Sequence, residues 1–400
     1  MSLFRKSTPV STDSDFGYIK PNEAYFDCAC QSLRPNQVID ALNTYYKEHN
    51  SCGERVKYAW GITTDQKVEA TREKVIDYLK LKKHDYFVSF TLNTTYGLNL
   101  ILSQFNYKKA GIKHIVTSEI EHNSTYLSTM VNAEKNGLDR IILERAENGT
   151  VDASKIPAKS LVVLNAACNF DGRRLENINE VIKHVHDTGG YIIIDAAQAM
   201  AHSADVLYKT EPDAICFSAH KMYAPSLGGI VMRKDFAPLI DTLFIGGGMV
   251  DDVERDKFLL SSDNPEHLYT KFEAGLQAWG EIIGLGAAID WLNKLPKSAH
   301  DNLAENSKKL FDFLKGQPRI HVVNAEPQNT ISFYVDGLDS HLLSEALSDE
   351  GIMVRSGYFC VHYYLDHVKH YPPLVRFSLG YQNTTEQVDR VIEILRKATS

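Results

Sequence analysis

The chain is poor in cysteine for its size, with six in 400 residues, and they stand apart at positions 28, 30, 52, 168, 216 and 360. Disulfide scaffolds are short and cysteine-dense, so this pattern reads as reduced thiols. No CxxC pair occurs, and Cys28-x-Cys30 lacks partner ligands at useful spacing, so no metal site is expected and the pair reads as packing near the floor of a candidate site. No apolar run approaches the roughly 20 residues of a membrane span. The stretch "MSLFRKSTPVSTDSDFGYIK" has no apolar core of signal-peptide length, so a soluble, cytoplasmic protein with no membrane partner is expected. No long basic run interrupts a net charge of −8, which argues against nucleic acid as the main partner. Internal repeats and low-complexity segments are missing too.

What is present is an ordinary globular mixture, 44% hydrophobic and 24% charged, so a folded chain is expected. Its length exceeds what one growing core accommodates, which predicts a large and a small domain. Residues 1–24 are polar and read as an arm. Helical spacing marks "QVIDALNTYYKEHN" and "DQKVEATREKVIDYLKL". From about residue 86, the short apolar runs "YFVSF", "HIVTS", "RIILE", "SLVVLNA", "YIIIDAA", "AICFSA" and "GGIVMR" alternate with helical patterns such as "ENINEVIKHVHDTG". Several are apolar throughout, as strands covered on both faces are. The alternation predicts an α/β architecture with a mostly parallel sheet, in a large domain over residues 25–285. The stretch "GEIIGLGAAIDWLNKL" (280–295) reads as a long connecting helix. Beyond it, "TISFYV", "IMVRSG" and "LVRFSLG" read as strands among the helices "SHLLSEALSDEG" and "TTEQVDRVIEILRKA", predicting a smaller α+β domain over 286–400.

Ligands in such sheets bind beyond the carboxyl ends of the strands, so the polar residues that close each run are the candidates. They are Thr94, Thr95, Glu121, His122, Asn169, Asp195, Gln198, Ser218, His220 and Lys221. Each alone has a plain structural explanation. An aspartate after a strand often caps the next helix, an Asn near Gly is usually a turn, and a lysine at a strand end is usually solvated. Together they suit pyridoxal 5′-phosphate. That cofactor needs a lysine for covalent attachment and an acid to keep its ring nitrogen protonated. Its phosphate needs hydroxyls, amides and a helix N-terminus.

The segments "DAAQ…FSAHKMYAP…GG" resemble the fold type I pyridoxal-phosphate enzymes of the class V aminotransferase group, within its cysteine desulfurase/selenocysteine lyase branch. The likeness runs from about Tyr25 onward and implies a seven-stranded sheet and a homodimer. It implies that Lys221 carries the cofactor, that Asp195 pairs with the ring nitrogen, and that Gln198, assisted by Asn169, meets the ring hydroxyl. His122 would stack on the ring and count with Lys221 among the catalytic residues, while Thr94, Thr95, Ser218 and His220 would hold the phosphate.

The stretch "VRSGYFCVHYYL" (354–365) is similar to the family's Arg-x-Gly-x-x-Cys segment. A buried core thiol is the plain reading of a cysteine there. The resemblance instead makes Cys360 the catalytic nucleophile, on a compact segment of the Suf type. It makes Arg376, in "PPLVRFSLGYQNT", the clamp on the substrate carboxylate, with Arg355 helping. The reaction implied converts L-cysteine to L-alanine and leaves a persulfide on Cys360 for a sulfur-acceptor protein, with Arg355 or His362 favouring the thiolate. Two departures stand out. Leu276 in "FEAGLQAWG" replaces the family's threonine that reaches the neighbouring subunit's phosphate, and Val361-His362-Tyr363 replaces Ala-Gln-Pro. The same scaffold also serves selenocysteine lyases, cysteine C–S lyases, kynureninase-like hydrolases and aminotransferases. A cofactor-binding scaffold without catalysis is the reading from another class. Smaller expectations concern His184 and His186 as surface residues, Ile245–Met249 as a loop bordering the site, and Arg55 near a partner's pocket.

Overall fold

The computed structural model describes residues 15–54 and 56–399. Most of the expected arm and Arg55 therefore lie outside the described residues. The visible end of the arm is packed rather than loose: Phe16 is buried against Tyr223 and Trp291, and Asp15 accepts a hydrogen bond from Trp291 Nε1.

All seven apolar runs are strands of one sheet: β1 (Tyr86–Thr91), β2 (His114–Ser118), β3 (Asp139–Leu143), β4 (Ser160–Asn165), β5 (Tyr191–Asp195), β6 (Ala214–Ser218) and β7 (Gly228–Arg233). Their order is β1-β7-β6-β5-β4-β2-β3. β7 runs antiparallel to both neighbours, and the remaining pairs are parallel. Because the pleat alternates, Ile192 and Ile194 enter one core while Ile193 enters the other. This two-sided burial is why the runs carry no polar face. Edge strand β3 is the exception and is only partly buried.

The β6–β7 connection is a short reversal over residues 219–227 instead of a helical crossover, so Lys221 cannot leave the rim of the sheet. Glycine permits the close contacts around it. A Cβ on Gly228 would lie 2.4 Å from Asn93 Cα, and one on Gly229 would lie 2.3 Å from the Phe217 ring. The helix Trp279–Lys294 packs beneath the reversal, where the bare face of Gly284 admits the Pro225 ring. It runs unbroken through residue 285, the boundary expected from the sequence, and ends just before Pro296.

The C-terminal part holds an antiparallel sheet of β8 (Ile320–Val322), β9 (Thr330–Val335), β10 (Arg355–Gly357) and β11 (Leu374–Ser378), ordered β8-β9-β11-β10. The expected "IMVRSG" strand is split. Ile352–Met353 pairs in parallel with Ala24–Tyr25, and only Arg355–Gly357 pairs with β11. Two different partners compete for one run, and each takes half.

Because the Asn93 backbone cannot retreat from a new methyl group, Gly228→Ala should cost about 1–3 kcal/mol of stability. The urea midpoint reads this directly, and an unchanged midpoint would show that the contact yields freely.

Candidate active site

A cavity of about 290 Å³ opens where the strand ends of the large sheet face β10 and β11. Thr94, Thr95, His122, Asn169, Asp195, Gln198, Ser218, His220, Lys221, Arg355, Cys360 and Arg376 all line it. Glu121 does not. It lies behind the wall, accepting from Ser118 Oγ at 2.6 Å and from the Asn165 amide at 2.9 Å, and so ties β2 to β4.

Asp195 ends β5 in a buried position, its Oδ1 accepting from the Ala197 amide (2.9 Å) and its Oδ2 from Thr125 Oγ1 (3.2 Å). Burial raises its carboxyl above the usual range, opposed by the Ala197 amide and by the Lys221 charge. Burial likewise lowers the Lys221 ammonium, and Asp195 opposes that. Burial, helped by the Lys221 and Arg376 charges, pushes His122 down to about 3. Its ring is therefore neutral. The Ser124 amide donates to His122 Nδ1 at 3.1 Å, which leaves the proton on Nε2. His220 is pushed down to about 4, first by burial and then by Lys221 and Arg34.

At the start of the helix Thr94–Gln104, Asn93 caps the Tyr96 amide at 2.9 Å. The Thr94 amide and hydroxyl both meet Ser218 Oγ, at 3.0 and 2.7 Å, and Thr95 Oγ1 meets Ser124 Oγ at 2.6 Å. This joins a helix N-terminus to a ring of hydroxyls, which suits a phosphate.

The opposite wall carries cations. Arg355 and Arg376 are directly paired across β10 and β11, so their side chains share a face. Arg376 is 2% exposed; its Nη1 donates to the Asn169 carbonyl (2.9 Å) and its Nη2 to Asp27 Oδ1 (2.8 Å). Asp27 Oδ2 also lies 3.6 Å from Arg355, so one carboxylate serves both arginines. Arg376 Nε and Asn169 Oδ1 are buried without a protein partner. Orphaned groups of this kind call for a ligand.

Cys360 is exposed and free. It and Phe359 have φ of 61° and 50°, two successive left-handed residues without glycine. Asn169 Nδ2 donates to the Phe359 carbonyl and the Asn123 amide to the Cys360 carbonyl, each at 2.7 Å, and these bonds pin the turn. Tyr364 and Leu365 anchor it in a small core with Ile120 and Phe170. The two residues expected to favour the Cys360 thiolate make other hydrogen-bonding contacts. Arg355 Nη1 donates to Cys30 Sγ at 2.8 Å, because the arginine faces Asp27 and the turn that follows it, and His362 Nδ1 lies 3.4 Å from Asn123 Nδ2.

Cys28 does pack, accepting from Gln382 Nε2 at 3.1 Å, but Cys30 lines the cavity. Sequence reasoning passes over Asp27, Ser124 and Thr125; the two hydroxyls lie within three residues of His122, the one signal that could have found them. His184 and His186 are not simply solvated, bonding to the Ile156 carbonyl (2.9 Å) and Asp213 (3.0 Å).

The donor set fits a pyridine ring bearing a phosphate, and comparisons with known proteins agree. Residues 24–391 match the family model "Aminotransferase class-V". The chain belongs to that family, whose cofactor is pyridoxal 5′-phosphate. Within it, the chain falls in the cysteine desulfurase branch. It is 30% identical to a probable cysteine desulfurase of Pyrococcus abyssi over 93% of both chains. It is 29% identical to one of Vibrio cholerae, covering 94% of this chain and 93% of the other. A solved apo structure of cysteine desulfurase from Thermococcus onnurineus, 26% identical, superposes with a TM-score of 0.84 over 94% of each chain. Among the described residues, no helix is long and apolar enough to cross a membrane.

Three histidines kept neutral by burial (His122 and His202, pushed to about 3, and His220, pushed to about 4) predict acid lability. Below about 6.5 the unfolded chain takes up protons there that the folded protein refuses, so stability is complete near neutrality and lost as pH falls toward 4. Each contributes at most about 1.4 kcal/mol per pH unit, less where a ring edge meets solvent. The unfolding midpoint should fall across this window and fall less steeply in His122→Asn; a flat profile would contradict the burial argument.

Proposed function

We propose that this chain is a cytoplasmic cysteine desulfurase that moves the sulfur of L-cysteine onto Cys360 and releases L-alanine. The observation that carries the reading is a free thiol and a buried guanidinium, Cys360 and Arg376, on the cavity that also holds Lys221 and Asp195. When bound, pyridoxal phosphate withdraws electrons from the substrate's Cα, loosening its proton and polarising the Cβ–sulfur bond.

The residues divide the remaining work. Lys221 anchors the cofactor covalently and moves the proton at Cα, a task eased by the lowering of its ammonium. Asp195 would keep the ring nitrogen protonated, and Gln198 and Asn169 would meet the ring hydroxyl. Neutral His122 would stack on the ring, with Nε2–H to donate. Thr94, Thr95, Ser218 and His220 would take the phosphate. Arg376, with Nε free of protein partners, fixes the substrate carboxylate, and Arg355 assists. The Cys360 thiolate then attacks the substrate sulfur. A sulfur–sulfur bond forms as the Cβ–sulfur bond breaks, leaving alanine and a protein persulfide. The exposure of Cys360 favours onward transfer to a thiol of an acceptor protein.

The apolar residues Leu243, Phe244 and Leu276 are exposed, and the Gly275 amide donates to the Gly247 carbonyl at 2.7 Å, holding their two loops together. We infer that a second copy covers this surface, with Leu276 contributing apolar contact where relatives use a hydroxyl. Sedimentation should give a dimer that Leu276→Asp weakens, and a monomer at micromolar concentration would remove this inference.

With L-cysteine, the protein should yield alanine, and Cys360→Ala should abolish it while leaving the bound cofactor's absorbance intact. Arg376→Lys, which loses the planar fork, should raise KM for cysteine by about tenfold or more. Pyruvate and sulfide at the parental rate from Cys360→Ala would make the protein a C–S lyase and Cys360 a bystander.

A further inference from the structure

Cys30 shares the active cavity with Cys360, and nothing in the reaction just described uses it. Its Sγ accepts a 2.8 Å hydrogen bond from Arg355, a residue of the segment that leads into the Cys360 turn. Lys221 lines the same cavity as both thiols. At about 290 Å³ the cavity is at the small end of the range for one ligand, so two sulfurs on its wall share a confined space. The turn that carries Cys30 is itself fixed, since the Cys30 amide donates to the Asp27 carbonyl and Gln198 Nε2 donates to the Ala29 carbonyl (2.7 Å). The other cysteines differ: Cys28, Cys168 and Cys216 are buried, and Cys52 does not reach the cavity.

We propose that Cys30 is a second sulfur-carrying thiol, which takes the sulfane sulfur from the Cys360 persulfide. The proposal rests on Cys360 being the first acceptor. In this step the Cys30 thiolate attacks the outer sulfur of Cys360–S–SH. A Cys30–sulfur bond forms, the bond to Cys360 Sγ breaks, and its electron pair returns to Cys360, which regains a thiolate. One persulfide is exchanged for another, so no oxidant or reductant is required. Arg355 directs an N–H at the Cys30 sulfur and suits the thiolate that attacks. Cys30 is itself partly exposed, so a sulfur held there is still open to the cavity mouth. The relay also explains why the chain can tolerate a nucleophile on a pinned, left-handed turn. Cys360 is emptied where it stands and is free for a second substrate.

The test is a rapid-quench burst. Holoenzyme is mixed with L-cysteine and no other thiol, and quenched before cysteine in solution strips the persulfide. Alanine is counted, and alkylated peptides are mapped for sulfane sulfur by mass spectrometry. The parent should form about two alanines per subunit and carry sulfane sulfur on both Cys360 and Cys30, against about one alanine and Cys360 alone in Cys30→Ser. Cys30→Ala serves as the second variant should serine disturb the turn. In Cys360→Ser, Cys30 should stay unmodified. Sulfane sulfur on Cys360 alone, with equal bursts in parent and variant, overturns the relay and leaves the desulfurase reading standing. A Cys30–Cys360 disulfide with release of sulfide also overturns it, since attack then falls on the inner sulfur. Sulfane sulfur on neither residue overturns the desulfurase reading itself.

Discussion

The backbone of Gly228 lies so close to that of Asn93 that no methyl group fits between them, and the site is organised around this contact. β7 runs against its neighbours, so its entry point falls on the same rim as the exits of β1 and β6. Thr94 follows one exit, Ser218 ends the other, and Lys221 occupies the reversal between. The two hydroxyls meet at 2.7 Å because the strands that carry them are held at glycine spacing. Had the chain crossed over through a helix after β6, the lysine would have left the rim.

Charge is distributed with equal economy. Lys221, Arg355 and Arg376 face one cavity, and Asp195 and Asp27 are the carboxylates set among them. Such a cavity attracts anions, and both the phosphate of the cofactor and the carboxylate of an amino acid are anions. The imidazoles of His122 and His220 add no further positive charge, since burial and the neighbouring cations keep them neutral. What remains of each is a neutral ring with one N–H to donate.

Much of this was legible in the sequence, for reasons that differ residue by residue. The seven strands were legible because burial on both faces forces an unbroken apolar run, and the polar residue ending each run marks the ligand rim. The split of "IMVRSG" was not, since it depends on Ala24–Tyr25 competing for half the run across most of the chain. Asp27 was hidden for the same reason: its two arginines lie more than three hundred residues away. The C-x-C pair read as packing near the site floor, but such a pair alternates sides, and nothing local says that Cys30 is the one to meet the cavity. The left-handed turn at Phe359–Cys360 leaves no trace in composition, because neither residue is a glycine.

Joining the beginning of the chain to its end has a consequence for how the protein is made. Ala24 pairs with Ile352, the Ala29 amide donates to Ser378 Oγ, and Asp27 grips Arg376. During synthesis the strands of the large sheet emerge in sequence and can dock as they leave the ribosome, whereas the bonds from Ala24, Asp27 and Ala29 to the last strands must wait for nearly the whole polypeptide. Contacts so distant along the chain are slow to form. Lys221 is therefore in place early and the Asp27–Arg376 pair late, so in the roles proposed for them a nascent chain has its cofactor anchor ready before it is able to hold an amino acid.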